Sequence, residues 1–372
     1  MRIELERLDR IAYPMGVMDL ALAKDGRQTF AACMDGIYAF TLRDRNASKE
    51  PAQQEPVCIG RHASYVSGIA YAEDARSLIS SSYDGTLQIR DLSNVDTYSA
   101  SDMEPRYQSR IHSFWSWRMA LSPDQRYVAS VTGQYLAGSE DYSPMASVEP
   151  TVLVLNAGTG ELVHSFHMLP SVQCVAFDPT SRYVAAGNLI GDLAVWDIER
   201  GIELARWNTP SFTSWGIIKS HCYIGGIYAV AFSPDSESLY AAGMGEMRDP
   251  MAANGKQRWQ RFAWRSKPIE KLQETQGDES GEGLMETLAW SPCGEYFAMA
   301  GRLRGGNWNV GLFSKETGKI VGQAKTGMRI TRVCFDAEGN TMLCAGMQGQ
   351  PAPKNGTFPK FGYLERYAIK RS

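Results

Sequence analysis

Five histidines, His62, His112, His164, His167 and His221, are the side chains whose ordinary pKa lies nearest neutrality, and any general acid–base chemistry would start with them. His164 and His167 lie three apart across an edge strand and the loop after it. Strand geometry sends them to opposite faces, so they do not read as a metal pair. There is no GxSxG elbow, no HExxH pair and no phosphate-binding loop. The seven cysteines are scattered, and none forms a CxxC pair, which argues against a zinc site and against a disulfide framework. The expected catalytic residues, metal ligands and cofactors are therefore none.

Recognition chemistry is easier to find. The stretch KQRWQRFAWRSK, residues 256–267, interleaves cations with aromatic rings, a mixture that can pair with phosphates and stack on bases. Alternation makes part of it a strand instead, with Trp264 on the buried face. Downstream, the acidic run ETQGDESGEG (residues 274–283) would repel a phosphate backbone. The whole chain carries 38 basic and 41 acidic residues, a net charge of −3, so no global field favours nucleic acid. No apolar run approaches the ~18 residues of a membrane span. The opening MRIELERLDR has no apolar h-region behind it. These features predict a soluble cytoplasmic protein with no membrane and no nucleic acid as partner.

The elements that position these residues repeat. Seven short apolar runs each break into Pro, Asp or Gly turn chemistry: LALAKDG, IAYAEDA, MALSPDQ, VAFDPTS, VAFSPDS, LAWSPCG and VCFDAEG. A second run rich in small residues follows each, such as YVAAG and YFAMAG, then a third, and often an edge-like fourth. Four short strands per unit make a sheet that cannot bury both faces alone, and radial stacking of such sheets is a propeller. The last unit ends after its third strand, GYLERYAIKR. The N-terminal MRIELERL, about residues 1–10, reads as a fourth strand lacking its first three. Pairing the two removes two open edges. The predicted fold is all-β, a seven-bladed β-propeller spanning 1–372 as one domain, closed by the N-terminal strand in the last blade.

In GDLAVWDIERG, Gly191–Gly201, the pair Trp196-Asp197 closes the third strand of unit four. It resembles the signature of WD-repeat β-propellers. The corresponding pairs are Phe40-Thr41, Arg90-Asp91, Leu155-Asn156, Trp264-Arg265, Phe313-Ser314 and Tyr367-Ala368. The resemblance implies a buried polar set of loop His, strand Ser, turn Asp and Trp. His62, Ser80 and Asp84 fit it in unit two, with Arg90 where the Trp would be. His112 has the same offset in unit three. Asp192 and Trp196 fit in unit four without a matching His. The resemblance further implies a non-catalytic interaction scaffold or complex subunit.

Connections between second and third strands, and those joining one unit to the next, leave the same end of such a ring. They are long in units three, five and seven and between units four and five. Long connections tend to carry function, and these are rich in the residue types that dominate binding hot spots. The expected residues for a protein or peptide partner, on the loop-rich face over blades 3–7, are Trp115, Tyr142, Trp215, Met247, Trp259, Arg304, Trp308 and Phe358. One rival reading is a propeller enzyme or small-molecule binder using the central channel. Its mouth is expected at Val17, Val66, Ser116, Val172, Ile227, Met285 and Ile330, which are mostly apolar. A second rival is self-association through the same aromatic loops.

Overall fold

In the computed structural model the described residues are 2–43, 55–93, 102–134, 149–169, 171–215, 223–249, 254–276, 283–302, 305–349 and 351–371. They form seven antiparallel sheets. Blade 1 comprises Val17–Leu22, Gln28–Cys33, Gly36–Thr41 and Val57–Gly60, and blade 2 comprises Val66–Ala72, Ser77–Ser82, Thr86–Asp91 and Tyr107–Arg110. Blade 3 runs Arg118–Leu121, Tyr127–Val131, Val152–Asn156 and Leu162–Phe166, and blade 4 runs Val172–Phe177, Tyr183–Asn188, Asp192–Asp197 and Ile202–Asn208. Blade 5 is Tyr223–Phe232, Leu239–Asp249, Asn254–Ala263 and Glu270–Glu274, with Thr213–Trp215 added beside its first strand. Blade 6 is Met285–Trp290, Tyr296–Gly301, Val310–Ser314 and Ile320–Ala324. Blade 7 takes Arg329–Phe335, Thr341–Met347 and Gly362–Arg371 from the C-terminal end and Ile3–Tyr13 from the N-terminal end.

The turn after each first strand is one device used seven times. Gly26, Arg76, Gln125, Ser181, Ser236, Gly294 and Gly339 all adopt positive φ there, between 45° and 70°. An acidic or hydroxyl side chain holds the turn from inside. Asp178, for example, accepts from the backbone N of Tyr183 at 2.7 Å and from Thr180 Oγ1 at 2.6 Å. These local bonds explain why the Asp/Ser-Pro pattern was visible in sequence.

First strands neighbour one another around the ring, and apolar clusters fill the gaps between successive blades. The second strand of each blade meets a neighbour on both faces, so small side chains such as Ala185 and Ala186 are fully buried there. The ring closes as expected. Ile3–Tyr13 runs antiparallel to Gly362–Arg371, from Ile3 opposite Arg371 to Tyr13 opposite Gly362, with one bulge between Arg7 and Asp9. The closing strand extends three residues beyond the predicted residue 10.

Blade 5 departs from the sequence reading. Its long second-to-third connection is strand for most of its length. Leu239–Asp249 and Asn254–Ala263 pair out to Asp249 opposite Asn254. Thr213–Trp215 likewise pairs with Tyr223–Gly225. Long connections without internal pairing leave backbone groups unsatisfied, and a ribbon pairs them. The ribbon also shifts the assignment of the repeat signature. Phe262, opposite Leu239, holds the place that Trp196 holds opposite Val184. Trp264 lies beyond it, buried, and donates its Nε1–H to Ser236 O at 3.0 Å.

Candidate functional site

Each first strand carries a β-bulge at its channel end. The register slips between Val17 and Asp19, Val66 and Gly68, Val172 and Cys174, Ile227 and Ala229, Met285 and Thr287, and Ile330 and Arg332. In blade 3 the backbone N of Trp117 bonds Val131 O, while Arg118 is the residue paired with Val131, which is the same device. The bulged residue turns inward. Met18, Ser67, Trp117, Gln173, Tyr228, Glu286 and Thr331, one from every blade, line a cavity of about 290 Å³ on the ring axis, with Tyr83, Arg118, Leu189 and Arg329. The residues expected at this mouth, Val17, Val66, Ser116, Val172, Ile227, Met285 and Ile330, are all fully buried. The sequence reading missed by one residue, and in a strand one residue reverses the face. The channel is consequently polar and charged.

Arg329 forks onto Glu286, with Nε to Oε1 at 2.6 Å and Nη2 to Oε2 at 2.9 Å. From blade 3, Arg118 reaches across the ring to Thr331 O at 3.5 Å and Glu286 O at 3.3 Å. Asp19, buried, has Oδ1 3.4 Å from Arg332 Nε and 3.9 Å from Arg118 Nη1, while its Oδ2 accepts from the backbone N of Ile69 at 3.1 Å. Burial pushes the Tyr228 phenol up to about 12, so it is neutral at physiological pH.

At the mouth of this cavity five aromatic rings come together from two blade-joining connections and one tight turn. Tyr83, in the turn after the second strand of blade 2, stacks on Trp115 with centroids 4.7 Å apart and planes 5° apart. Trp115 also stacks on Phe114 at 5.1 Å, and Trp117 meets Tyr83, Phe114 and Trp115 edge-on at 5.2 to 6.2 Å. Tyr65 leans on Tyr83 at 5.9 Å. Tyr65 and Trp115 are 42% and 41% exposed, which is unusual for rings of this size in a packed cluster. Trp117 anchors the group through Nε1–H to Gly133 O at 2.9 Å, and Thr132 Oγ1 holds the Trp115 carbonyl at 2.8 Å. Sequence reasoning named Trp115 but missed its neighbours Phe114 and Trp117 in the same connection, and Tyr65 and Tyr83 in short connections that carried no length signal.

The polar set behind this rim forms in blade 2. Thr86 Oγ1 donates to Asp84 Oδ1 at 2.6 Å, so it accepts from His62 Nδ1–H at 2.8 Å, leaving Nε2 to accept from the Ser80 hydroxyl at 2.8 Å. Asp84 Oδ2 also receives the backbone N of Ala63 at 2.9 Å. Burial opposes the Asp84 charge, but His62 and the bonds from Thr86 hold it well below the usual carboxylate range. Burial lowers His62. Gly85, at φ 79°, is required: a Cβ there would lie 2.2 Å from His112 O. Arg90 takes the Trp place and is buried, with Nε to Met103 O at 2.9 Å and Nη2 to Arg61 O at 3.2 Å.

In blade 3 His112 Nε2 lies 2.9 Å from Ser130 Oγ, which is 2.9 Å from Ser116 Oγ. At the offset of Asp84 this blade has Gln134, so the acidic member is missing. Burial takes His112 down to about 4. Blade 4 corrects an expectation. Asp192 precedes Leu193, which pairs with Gly187 as Leu87 pairs with Ser81, so its counterpart is Thr86 and not Asp84. It is held by Asn188 Nδ2 at 2.9 Å and Asn208 Nδ2 at 2.8 Å. Trp196 is buried against Phe166, with centroids 5.0 Å apart.

Two expected anchors are interior. Trp259 is 0% exposed because the third strand of blade 5 begins at Asn254 and carries it into the core. It meets Phe297 at 5.2 Å and Phe313 at 5.8 Å. Trp308 is 4% exposed and packs on Phe313 at 5.7 Å. Neither can touch a partner directly. Phe358 is exposed, in the connection between the second and third strands of blade 7. Met247 and Trp215 lie in the ribbon and in the added strand of blade 5, their side chains outside the described residues. Tyr142 and Arg304 lie outside the described residues altogether.

Among the described residues no group of three or more His, Cys, Asp or Glu is placed to hold a metal ion, and no helix is long and apolar enough to cross a membrane. Residues 55–91, from the outermost strand of blade 1 through the third strand of blade 2, match the family model described as WD domain, G-beta repeat. That segment contains the whole His62–Ser80–Thr86–Asp84 set. No curated protein matches the chain.

Proposed function

The chain is a WD-repeat β-propeller, and from that premise we propose that it is a non-catalytic interaction scaffold whose protein or peptide partner docks on the aromatic rim of Tyr65, Tyr83, Phe114, Trp115 and Trp117. WD-repeat propellers commonly mediate protein–protein interaction and are typically non-catalytic. The observation that carries the reading is the exposed Trp115 ring stacked on the partly buried Tyr83. Large rigid rings lose little conformational freedom when covered and supply much contact area, which is the character of a binding hot spot. The rim sits on a closed ring held by the bonds of blade 2, so little ordering cost attends docking. Phe358 and the ribbon of blade 5 extend the same face toward blades 3–7, since second-to-third and blade-joining connections leave one end of the ring. A cytoplasmic setting belongs to the same reading, supported by six free thiols among the described cysteines.

The test is capture of partners from the native cell extract by the full chain and by a Tyr65→Ala/Trp115→Ala variant. Capture is expected to fall to background in the variant while its thermal unfolding stays within a few degrees of the parent. Capture that survives sinks the proposal. Light scattering that reports a dimer, turned to monomer by the same two substitutions, would make the partner a second copy of the chain.

A further inference from the structure

We propose that the axial cavity beneath the aromatic rim binds a carboxylate group, received by Arg118. This deepens the docking reading above and rests on it for the source of the ligand. Among the described residues the charges around the cavity do not balance. Three guanidinium groups, Arg118, Arg329 and Arg332, face two carboxylates, Asp19 and Glu286. Arg329 and Glu286 satisfy each other by a two-pronged pair. Asp19 is the nearer partner of Arg332, at 3.4 Å, and stands 3.9 Å from Arg118. Arg118 is left donating to two carbonyl oxygens at 3.3 to 3.5 Å. Its side chain is 14% exposed. A cation so far out of water, whose nearby carboxylate, Asp19 at 3.9 Å, lies closer to Arg332, is costly, and an incoming anion offsets that cost.

A second observation points the same way. Ser67, 2% exposed, lines the cavity, and its Oγ has no hydrogen-bond partner among the described residues. A buried hydroxyl of this kind is a donor in waiting. A carboxylate has two acceptor oxygens, so one could take the Arg118 guanidinium and the other a hydroxyl. The cavity, about 290 Å³, has room for an acidic side chain together with its methylene stem. Its mouth is lined by Tyr83 and Trp117, which belong to the rim. A partner segment lying on the rim would thus pass an Asp or Glu side chain inward. A free small carboxylic acid would use the same groups.

The experiment titrates the full chain with N-acetyl-glutamate N-methylamide, its glutamine counterpart and glutarate, read by saturation-transfer NMR. The blocked glutamate is expected to bind about tenfold or more tightly than the blocked glutamine, the difference a hydrogen bond to a charged group supports. Arg118→Gln should abolish that preference. Arg118→Lys should keep the preference with weaker binding, and Ser67→Ala should weaken binding severalfold without touching the charge. Glutarate binding as well as the blocked glutamate marks a free-acid ligand, and binding of the blocked glutamate alone marks a peptide; both support the site. Equal binding of the glutamate and glutamine probes, no binding of either, or an unchanged preference in Arg118→Gln overturns it. Should Arg118→Gln not fold, blocked glutamate binding that is undiminished in both Arg118→Lys and Ser67→Ala overturns it equally. The Tyr65→Ala/Trp115→Ala variant keeps the carboxylate preference, because neither residue lines the cavity. Loss of the preference with rim-dependent capture intact therefore defeats this proposal alone, and the reverse defeats the docking reading alone.

Discussion

The rings of Tyr83 and Trp115 lie face to face, 4.7 Å apart, although one belongs to a tight turn within blade 2 and the other to the connection leading into blade 3. The contact bridges two blades at the surface, above the His62 network of one and the His112 network of the other. It fixes the angle at which Trp115 is presented. An aromatic pair of this kind contributes about 0.5–1.5 kcal/mol beyond area burial. A double-mutant cycle over Tyr83→Ala and Trp115→Ala, measured by urea unfolding, should return a coupling in that range. A coupling of zero would mean that the rings are stacked without holding each other.

Trp259 and Trp308 were expected at the surface and lie in the core between blades 5 and 6. Replacing either by Ala should cost about 3–5 kcal/mol of stability. Thermal unfolding should move down by several degrees, whereas capture per folded molecule should not change. The contrast with Trp115→Ala separates an anchor from a packing residue on one assay.

His112 is neutral in the folded state, since burial takes it from about 6.5 down to about 4. The unfolded chain binds the extra proton between those two values, so unfolding is favoured there as pH falls. The stability that depends on a neutral His112 is complete above about pH 6.5 and is lost progressively down to about pH 4. The loss is on the order of 3 kcal/mol. Burial lowers His62 as well, which adds to the same slope. Asp84 is shifted below the ordinary carboxylate range, so its own contribution fades only at lower pH, below about 4. Urea unfolding at pH 7 and pH 4.5 should show the drop, and His112→Gln should flatten it. An equally steep slope in that variant would assign the proton elsewhere.

Removal of residues 2–13 takes away the outermost strand of blade 7 and leaves Gly362–Arg371 as an open edge. It also removes the ion pairs of Glu6 with Lys370 and Asp9 with Arg366. An exposed edge of that length invites pairing between chains. The shortened protein should unfold at a markedly lower temperature and elute as aggregate in size-exclusion chromatography. A synthetic peptide of residues 2–13, added during refolding, should restore monomer. A stable monomer without the peptide would show that closure contributes little.

The ring itself was legible because its signals are local. A strand of alternating apolar residues, an Asp or Ser inside the turn and a positive-φ residue at its end all fall within one short window, and that window recurs seven times. The three residues His62, Ser80 and Asp84 were expected from the resemblance to WD repeats, and the structure brings them together in blade 2. Asp192 misled because two positions near the same turn can both carry an acidic residue, and only the register with Gly187 distinguishes them.

By itself, then, the amino-acid sequence determined the number of blades, the order of strands and the joining of the two ends. Tertiary structure decided which side chains reach the channel and which rings reach water. A bulge moves one residue of each first strand from the blade interface to the axis, and a one-residue change reverses a strand's faces. Burial of Trp259 and exposure of Trp115 depend on neighbours supplied by other blades. The charge imbalance around Arg118 depends on residues more than two hundred positions away, drawn together only when the ring closes.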